Sequence, residues 1–274
     1  MRVKKEASGR RSVQIEVEVP GTPEEVWQAI ATGPGVSSWF VPTEMEEADG
    51  KPVAVKSIFG PGMESRAVMT AWDPPRMFAA EGSGWGPGSP PIADEWSVEA
   101  RAGGICVVRV VHSLFASTDD WDNQLEGTES GWPGFFRILR IYLTHFRGQR
   151  SAMMQWIAPA AGTEAEAWAT LTAALGLKGV SAGQRWTAPA GVPALSGMLE
   201  HVTQSPCNAL LRLDKPGPGA AALGAVNYGG AIMVTLSFYL YGDQAAGTVA
   251  RETPLWQGWI QERFPMPTES SKSE

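Results

Sequence analysis

Residues 13–40 read VQIEVEVPGTPEEVWQAIATGPGVSSWF, and this stretch decides the fold. Val13, Ile15, Val17 and Val19 alternate with Gln14, Glu16 and Glu18, the period of a half-buried strand. Thr22 is a favourable N-cap, and Pro23 suits the first helical position. Glu25 completes a capping box with Thr22, and Glu24 adds a second negative charge at the positive end of the helix dipole. Val26, Trp27 and Ile30 make one apolar face, and Gly33-Pro34-Gly35 ends the helix. A second short helical turn then closes on the pair Trp39-Phe40.

Working outward, residues 42–114 break into short apolar runs at 53–59, 64–72, 76–80, 93–100 and 105–114. Turn residues separate them: Asp49-Gly50, Gly60-Pro61-Gly62, Asp73-Pro74-Pro75, the segment 82–91 and Gly103-Gly104. A closing helix is expected from Gly131-Trp132 to Arg147, with Phe135, Leu139 and Tyr142 turned to the sheet and Arg137 and Arg140 turned away.

The strand leading into TPEEVWQAI, the Trp39-Phe40 pair, the hairpin WDPPRMFAAE (72–81), the strand GGICVVRVVHSLF (103–115) and the helix GWPGFFRILRIYLTHF (131–146) occur in that order. Together they resemble the SRPBCC or START-like helix-grip superfamily, in the branch similar to the C-terminal domain of the activator of heat-shock-protein-90 ATPase. The resemblance spans residues 11–150. It implies an α+β fold in which an antiparallel sheet wraps a long C-terminal helix and encloses a cavity, the usual working site of the family.

Residues 163–175, TEAEAWATLTAAL, repeat the logic of TPEEVWQAIATGP, with Thr at the cap, acidic residues in the first turn and a Trp five residues after the Thr. Candidate strands follow at 184–188, 194–203, 209–213, 220–226 and 232–241, with 151–157 as the one available opening strand. Leu255, Trp256, Trp259, Ile260 and Phe264 make a closing amphipathic helix after Thr253-Pro254. Residues 151–265 therefore read as a degenerate second copy of the first unit, and the plainer reading is an extension that packs on it. Its small residues, Ala220 to Ala222, Gly224, Ala225 and Gly229 to Ala231, favour a structural partner over a second site. Residues 266–274 read as a disordered tail.

The chain has 274 residues and a formal net charge of −7, so nucleic acid is not an expected partner. No apolar run reaches the ~20 residues a spanning helix needs, so membrane insertion is not expected. Arg2, Lys4, Lys5, Arg10 and Arg11 precede no apolar core, which argues against a signal peptide. Cys106 and Cys207 sit inside apolar runs and read as free thiols of a cytoplasmic protein. The second half would need cover from the first half or from another copy, so a homodimer is compatible with the sequence.

The expected cavity is lined by Trp39 and Phe40 at its mouth, Phe59, Met69, Trp72, Phe78 and Trp96 on strands, and Phe135, Leu139 and Tyr142 on the closing helix. Trp85 is a further candidate from the loop at 82–91. Twelve Trp suit aromatic walls, although an aromatic on a strand is as readily a core residue. Among polar candidates, His112 faces with Val108, Val110 and Leu114, opposite Arg109; it is a weak candidate acid or base, and the resemblance implies a structural hydrogen bond as the more common role at this position. Arg66, Arg109, Glu64, Glu81, Glu95 and Glu99 are weaker candidates, since inward charges need partners. Asp119, Asp120 and Asp122 read as a solvated acidic turn.

The chain has no glycine-rich dinucleotide motif, no P-loop, no GxSxG elbow and no CxxC or HExxH, so no cofactor and no metal is expected. Three readings remain open. The first is a module binding a small hydrophobic ligand, the second an enzyme resembling polyketide cyclases that uses a cavity His or Arg, and the third a co-chaperone contacting a heat-shock ATPase.

Overall fold

The computed structural model describes residues 3–60, 62–83, 90–116 and 122–265. Trp85, Asp119, Asp120 and the expected tail 266–274 lie outside the described residues. The chain divides into two compact units, Met1–Gly148 and Gln149–Glu274.

The first unit is an eight-stranded antiparallel sheet in the order β1-β2-β8-β7-β6-β5-β4-β3. Its strands are β1 (Lys4–Lys5), β2 (Arg10–Pro20), β3 (Thr43–Ala48), β4 (Lys51–Gly60), β5 (Met63–Asp73), β6 (Met77–Gly82), β7 (Ile92–Arg101) and β8 (Ile105–Phe115). Two short helices, α1 (Pro23–Ile30) and α2 (Gly33–Ser37), intervene between β2 and β3. The long helix α3 (Asp122–Ile141) packs against β2 and runs into a π-helical turn, Tyr142–Phe146. This is the helix-grip arrangement.

Local chemistry fixes these elements. Thr22 accepts from the Glu25 amide at 3.3 Å while the Glu25 carboxylate accepts from the Thr22 amide at 2.9 Å, which closes the capping box of α1. Gly35 lets α2 turn back onto α1: a Cβ there would lie 1.9 Å from the Gln28 carbonyl oxygen. Strand β3, TEMEEA, was not among the expected runs, because three glutamates leave it no apolar period. The closing helix starts more than two turns before Gly131, since Asp122 is held by Arg11 Nη1 at 2.6 Å and Lys5 Nζ at 2.7 Å. The acidic residue read as a solvated turn is therefore the anchor of α3.

The second unit is a six-stranded antiparallel sheet in the order β10-β11-β12-β13-β14-β9. It comprises β9 (Ser151–Pro159), α4 (Glu164–Ala174), β10 (Arg185–Thr187), β11 (Ser196–Gln204), β12 (Cys207–Lys215), β13 (Gly219–Tyr228), β14 (Ala231–Tyr241) and α5 (Ala245–Arg263). Thr163 and Glu166 form the same capping box on α4 that Thr22 and Glu25 form on α1. Opening strand, capped helix, antiparallel meander and closing helix recur in the order of the first unit. Pro254 lies inside α5, not at its start, as Pro133 lies inside α3. Each unit is thus an α+β grip, the second with fewer strands.

Candidate functional site

The inner face of the first sheet follows from period-2 alternation. In β8 it carries Val108, Val110, His112 and Leu114, all buried. His112 stands opposite Val13 of β2 on one side and Asp94 of β7 on the other. Its Nδ1–H donates to Asp94 Oδ1 at 2.5 Å. In the neutral ring this leaves Nε2 as the acceptor. His112 is 5 % exposed, and Nε2 is buried with no hydrogen-bond partner among the described residues.

A file of near-parallel rings leads from His112 toward solvent. Trp132 of α3 stacks on His112 at 5.3 Å and 18° between planes, and Phe40 stacks on Trp132 at 5.2 Å and 21°. Phe135 meets Phe40 edge-on at 4.7 Å, and Phe59, 42 % exposed, meets it at 5.9 Å. Phe40, Phe59 and Phe135 form an aromatic rim, with the His112–Asp94 pair beneath it. Trp96 adds a wall, edge-on to Trp132 at 5.1 Å and stacked on Phe78 at 6.0 Å.

The other expected wall residues divide. Leu139 is 0 % and Trp39 1 % exposed, so both are packing, and the Trp39 indole donates to the Ala29 carbonyl at 2.9 Å. Met69 is half-buried on β5, opposite Ala80. The Tyr142 hydroxyl accepts from the Gly148 amide at 3.3 Å at the far end of α3. Trp72 meets Trp27 of α1 edge-on at 5.0 Å. Those two, with Gln28, Thr32, Glu44 and Pro74, line an open groove of about 760 Å³ that includes none of the other expected wall residues. His112 is the stronger candidate, because its Nε2 is buried without a hydrogen-bond partner among the described residues and none of the groove's lining residues has such an atom.

Both candidate arginines lie on the opposite face of the sheet. Arg66 pairs with Glu46 at 2.6 Å and Arg109 with Glu16 at 2.6 Å, and both ion pairs are exposed. Alternation enforces this, since each is one residue out of phase with the inward positions. Bonding to Arg66 and Arg109 holds the Glu46 and Glu16 carboxyls below their ordinary values. An enzyme using a cavity arginine is thereby reduced to one using His112.

Asp94 and Trp132 are candidate site residues that the sequence reading did not single out. Asp94 carried a signal: in IADEWSV it shares the inward phase of Ile92, Trp96 and Val98, so a charge there needs a partner. At the closed end of the grip, burial raises the Asp122 carboxyl, but hydrogen bonds from Lys5 and Arg11 outweigh it and hold the group below its ordinary value. Cys106 and Cys207 are free and buried, and burial first, then nearby glutamates, pushes both thiols up.

Residues 10–143 match the family described as polyketide cyclase / dehydrase and lipid transport. The first unit belongs to the START-like (SRPBCC) superfamily. Three solved structures are among those similar to the chain. DynU16, from the dynemicin biosynthetic locus, is 18 % identical over 91 % of this chain and 96 % of its own, with a TM-score of 0.41. The di-domain ARO/CYC BexL from the BE-7585A biosynthetic pathway is 12 % identical over 94 % and 100 %, with a TM-score of 0.43. The Aha1 dimer from Colwellia psychrerythraea is 20 % identical over 50 % and 98 %, with a TM-score of 0.39. No curated protein matches the chain. None of the described helices is long and apolar enough to cross a membrane.

Proposed function

We propose that the first unit binds a small hydrophobic molecule carrying a hydroxyl group. Its apolar body rests on Phe40, Phe59, Phe135 and Trp132, and its hydroxyl donates to His112 Nε2. The observation that carries this reading is the buried, partnerless Nε2 of a ring whose Nδ1 is already committed to Asp94. A buried polar atom left without a partner costs about 1–3 kcal/mol, and a ligand hydroxyl would recover part of that. The aromatic rim supplies the apolar area that drives such a ligand out of water.

The same pair favours a second reading, an enzyme of the polyketide cyclase kind. A base oriented through Nδ1 by a carboxylate is suited to take a proton from an enolisable substrate, and Asp94 would stabilise the imidazolium that results. Binding without turnover supports the first reading, and His112-dependent consumption of an enolisable polycarbonyl compound supports the second.

The test is displacement of an apolar fluorophore from the full chain by 2-naphthol and by 2-methylnaphthalene. The naphthol is expected to act at roughly fivefold to tenfold lower concentration, the worth of about one hydrogen bond. His112→Leu should remove that advantage while keeping the response to 2-methylnaphthalene. Failure of both compounds to displace the fluorophore from the wild type would sink the proposal.

A further inference from the structure

The open groove beside α1 lies outside the grip. Helices α1 and α2, strand β3, the β3–β4 turn and the end of β5 line it, and among the described residues none of α3 does. Its volume of about 760 Å³ falls in the range of sites that hold small molecules. The walls are preformed. The Ser37 hydroxyl accepts from the Thr43 amide at 2.9 Å, and a Cβ on Gly33 would lie 2.8 Å from the Thr43 carbonyl oxygen, so α2 is docked closely on β3. Trp27 and Trp72, edge-on at 5.0 Å, set two indoles at a fixed angle in the lining.

The polar groups of the groove sort ligands by charge. The hydroxyls of Thr32 and Ser37 are committed to their own helical turns, donating to the Gln28 and Gly33 carbonyls at 2.7 Å each. Glu44 and Glu47 carry the only formal charges among the described lining residues, with no Lys, Arg or His beside them. Glu46, which lies between them on β3, is paired with Arg66 at 2.6 Å. Glu44 and Glu47 enter no ion pair among the described residues. Glu44 stands across from Lys56, but the Lys56 ammonium is held by Glu64 at 2.9 Å. Glu47 stands across from Pro52, which carries no charge.

These features discriminate between ligand classes. An anion would meet two carboxylates and no cation. A neutral apolar molecule would rest on the indoles, Met45 and Pro52 and leave both carboxylates to water. A cation with an apolar body uses the whole lining, through attraction to Glu44 and Glu47 and through the negative faces of the indoles. We propose that this groove binds an amphiphilic organic ammonium, its charged head at Glu44 and Glu47 and its apolar body against Trp27 and Trp72. The site is independent of His112 and would serve a ligand of different chemistry.

The experiment is a titration of the ¹⁵N-tryptophan-labelled full chain with 2-phenylethylammonium, 2-phenylethanol and 3-phenylpropanoate, followed by the indole N–H signals. Trp27→Phe, Trp72→Phe and Trp132→Phe assign the three signals that matter. The Trp27 and Trp72 signals are expected to respond to the ammonium at about fivefold lower concentration than to the alcohol, and not to the carboxylate. The double variant Glu44→Gln, Glu47→Gln alters two exposed side chains and should remove that advantage while keeping the response to the alcohol. Raising the salt from about 20 to about 500 mM should weaken ammonium binding severalfold. Trp132 stacks on His112, so its signal reports the first site separately. Equal responses to ammonium and alcohol overturn the proposal, as does ammonium binding that the double variant leaves unchanged. A shift confined to Trp132 overturns it too, by placing the cation in the grip.

Discussion

Single residues fix the geometry of the first site. His112 was legible because VVHSLF continues the alternation of its strand, which places it inward with Val108 and Val110. Its partner was not, because register decides which β7 residue it meets, and residue periodicity carries no register across a loop. Asp94→Asn should therefore act on the ring's orientation: 2-naphthol affinity falls severalfold in the displacement titration while 2-methylnaphthalene affinity holds. An equal loss for both would point to a collapsed rim instead. Gly35 is the second informative residue. Its Cβ would meet the Gln28 carbonyl at 1.9 Å, so Gly35→Ala should destabilise by about 2 kcal/mol or more in urea unfolding. A change below half a kcal/mol would mean that α1 and α2 are spaced more loosely than described.

At the scale of elements, the closing helix was read correctly in type, only in part in face, and not in extent. Leu139 and Tyr142 are buried and Arg137 and Arg140 exposed, as expected, but Phe135 is only half-buried. Phe136 and Ile138 are also buried, because the helix is covered on more than one side. Its start was hidden because residues 122–130 carry little apolar periodicity, and the anchor is an ion pair to Arg11, distant in sequence. Leu139→Ala should cost about 2–5 kcal/mol, given its full burial. The Asp122 anchor makes a pH prediction. Its folded value is depressed, so the stability it lends is complete well above the ordinary carboxylate range and is lost as pH falls through the folded value. The difference in melting temperature between wild type and Asp122→Asn should be present at pH 7 and shrink below about pH 4. A difference independent of pH would assign the anchor to packing.

At the scale of the whole chain, two grips in tandem were readable from the repeated Thr-x-x-Glu caps and the paired aromatic helices. The chemistry of each interior was less readable, because a carboxylate such as Glu252 on an amphipathic helix looks solvent-facing until the helix start is known. Extending α5 back to Ala245 brings Glu252 into phase with Trp256 and Trp259. The central claim is that His112 in the first unit, held by Asp94, presents a bare Nε2 to a ligand hydroxyl. The most direct test is the ¹⁵N spectrum of histidine-labelled full chain, which has only three histidines and can be assigned with His112→Gln. The account predicts that the neutral His112 ring carries its proton on Nδ1, and that saturating 2-naphthol shifts its Nε2 resonance but leaves those of His145 and His201 in place. A proton on Nε2 instead, or a His112 signal unmoved at saturation, would contradict it.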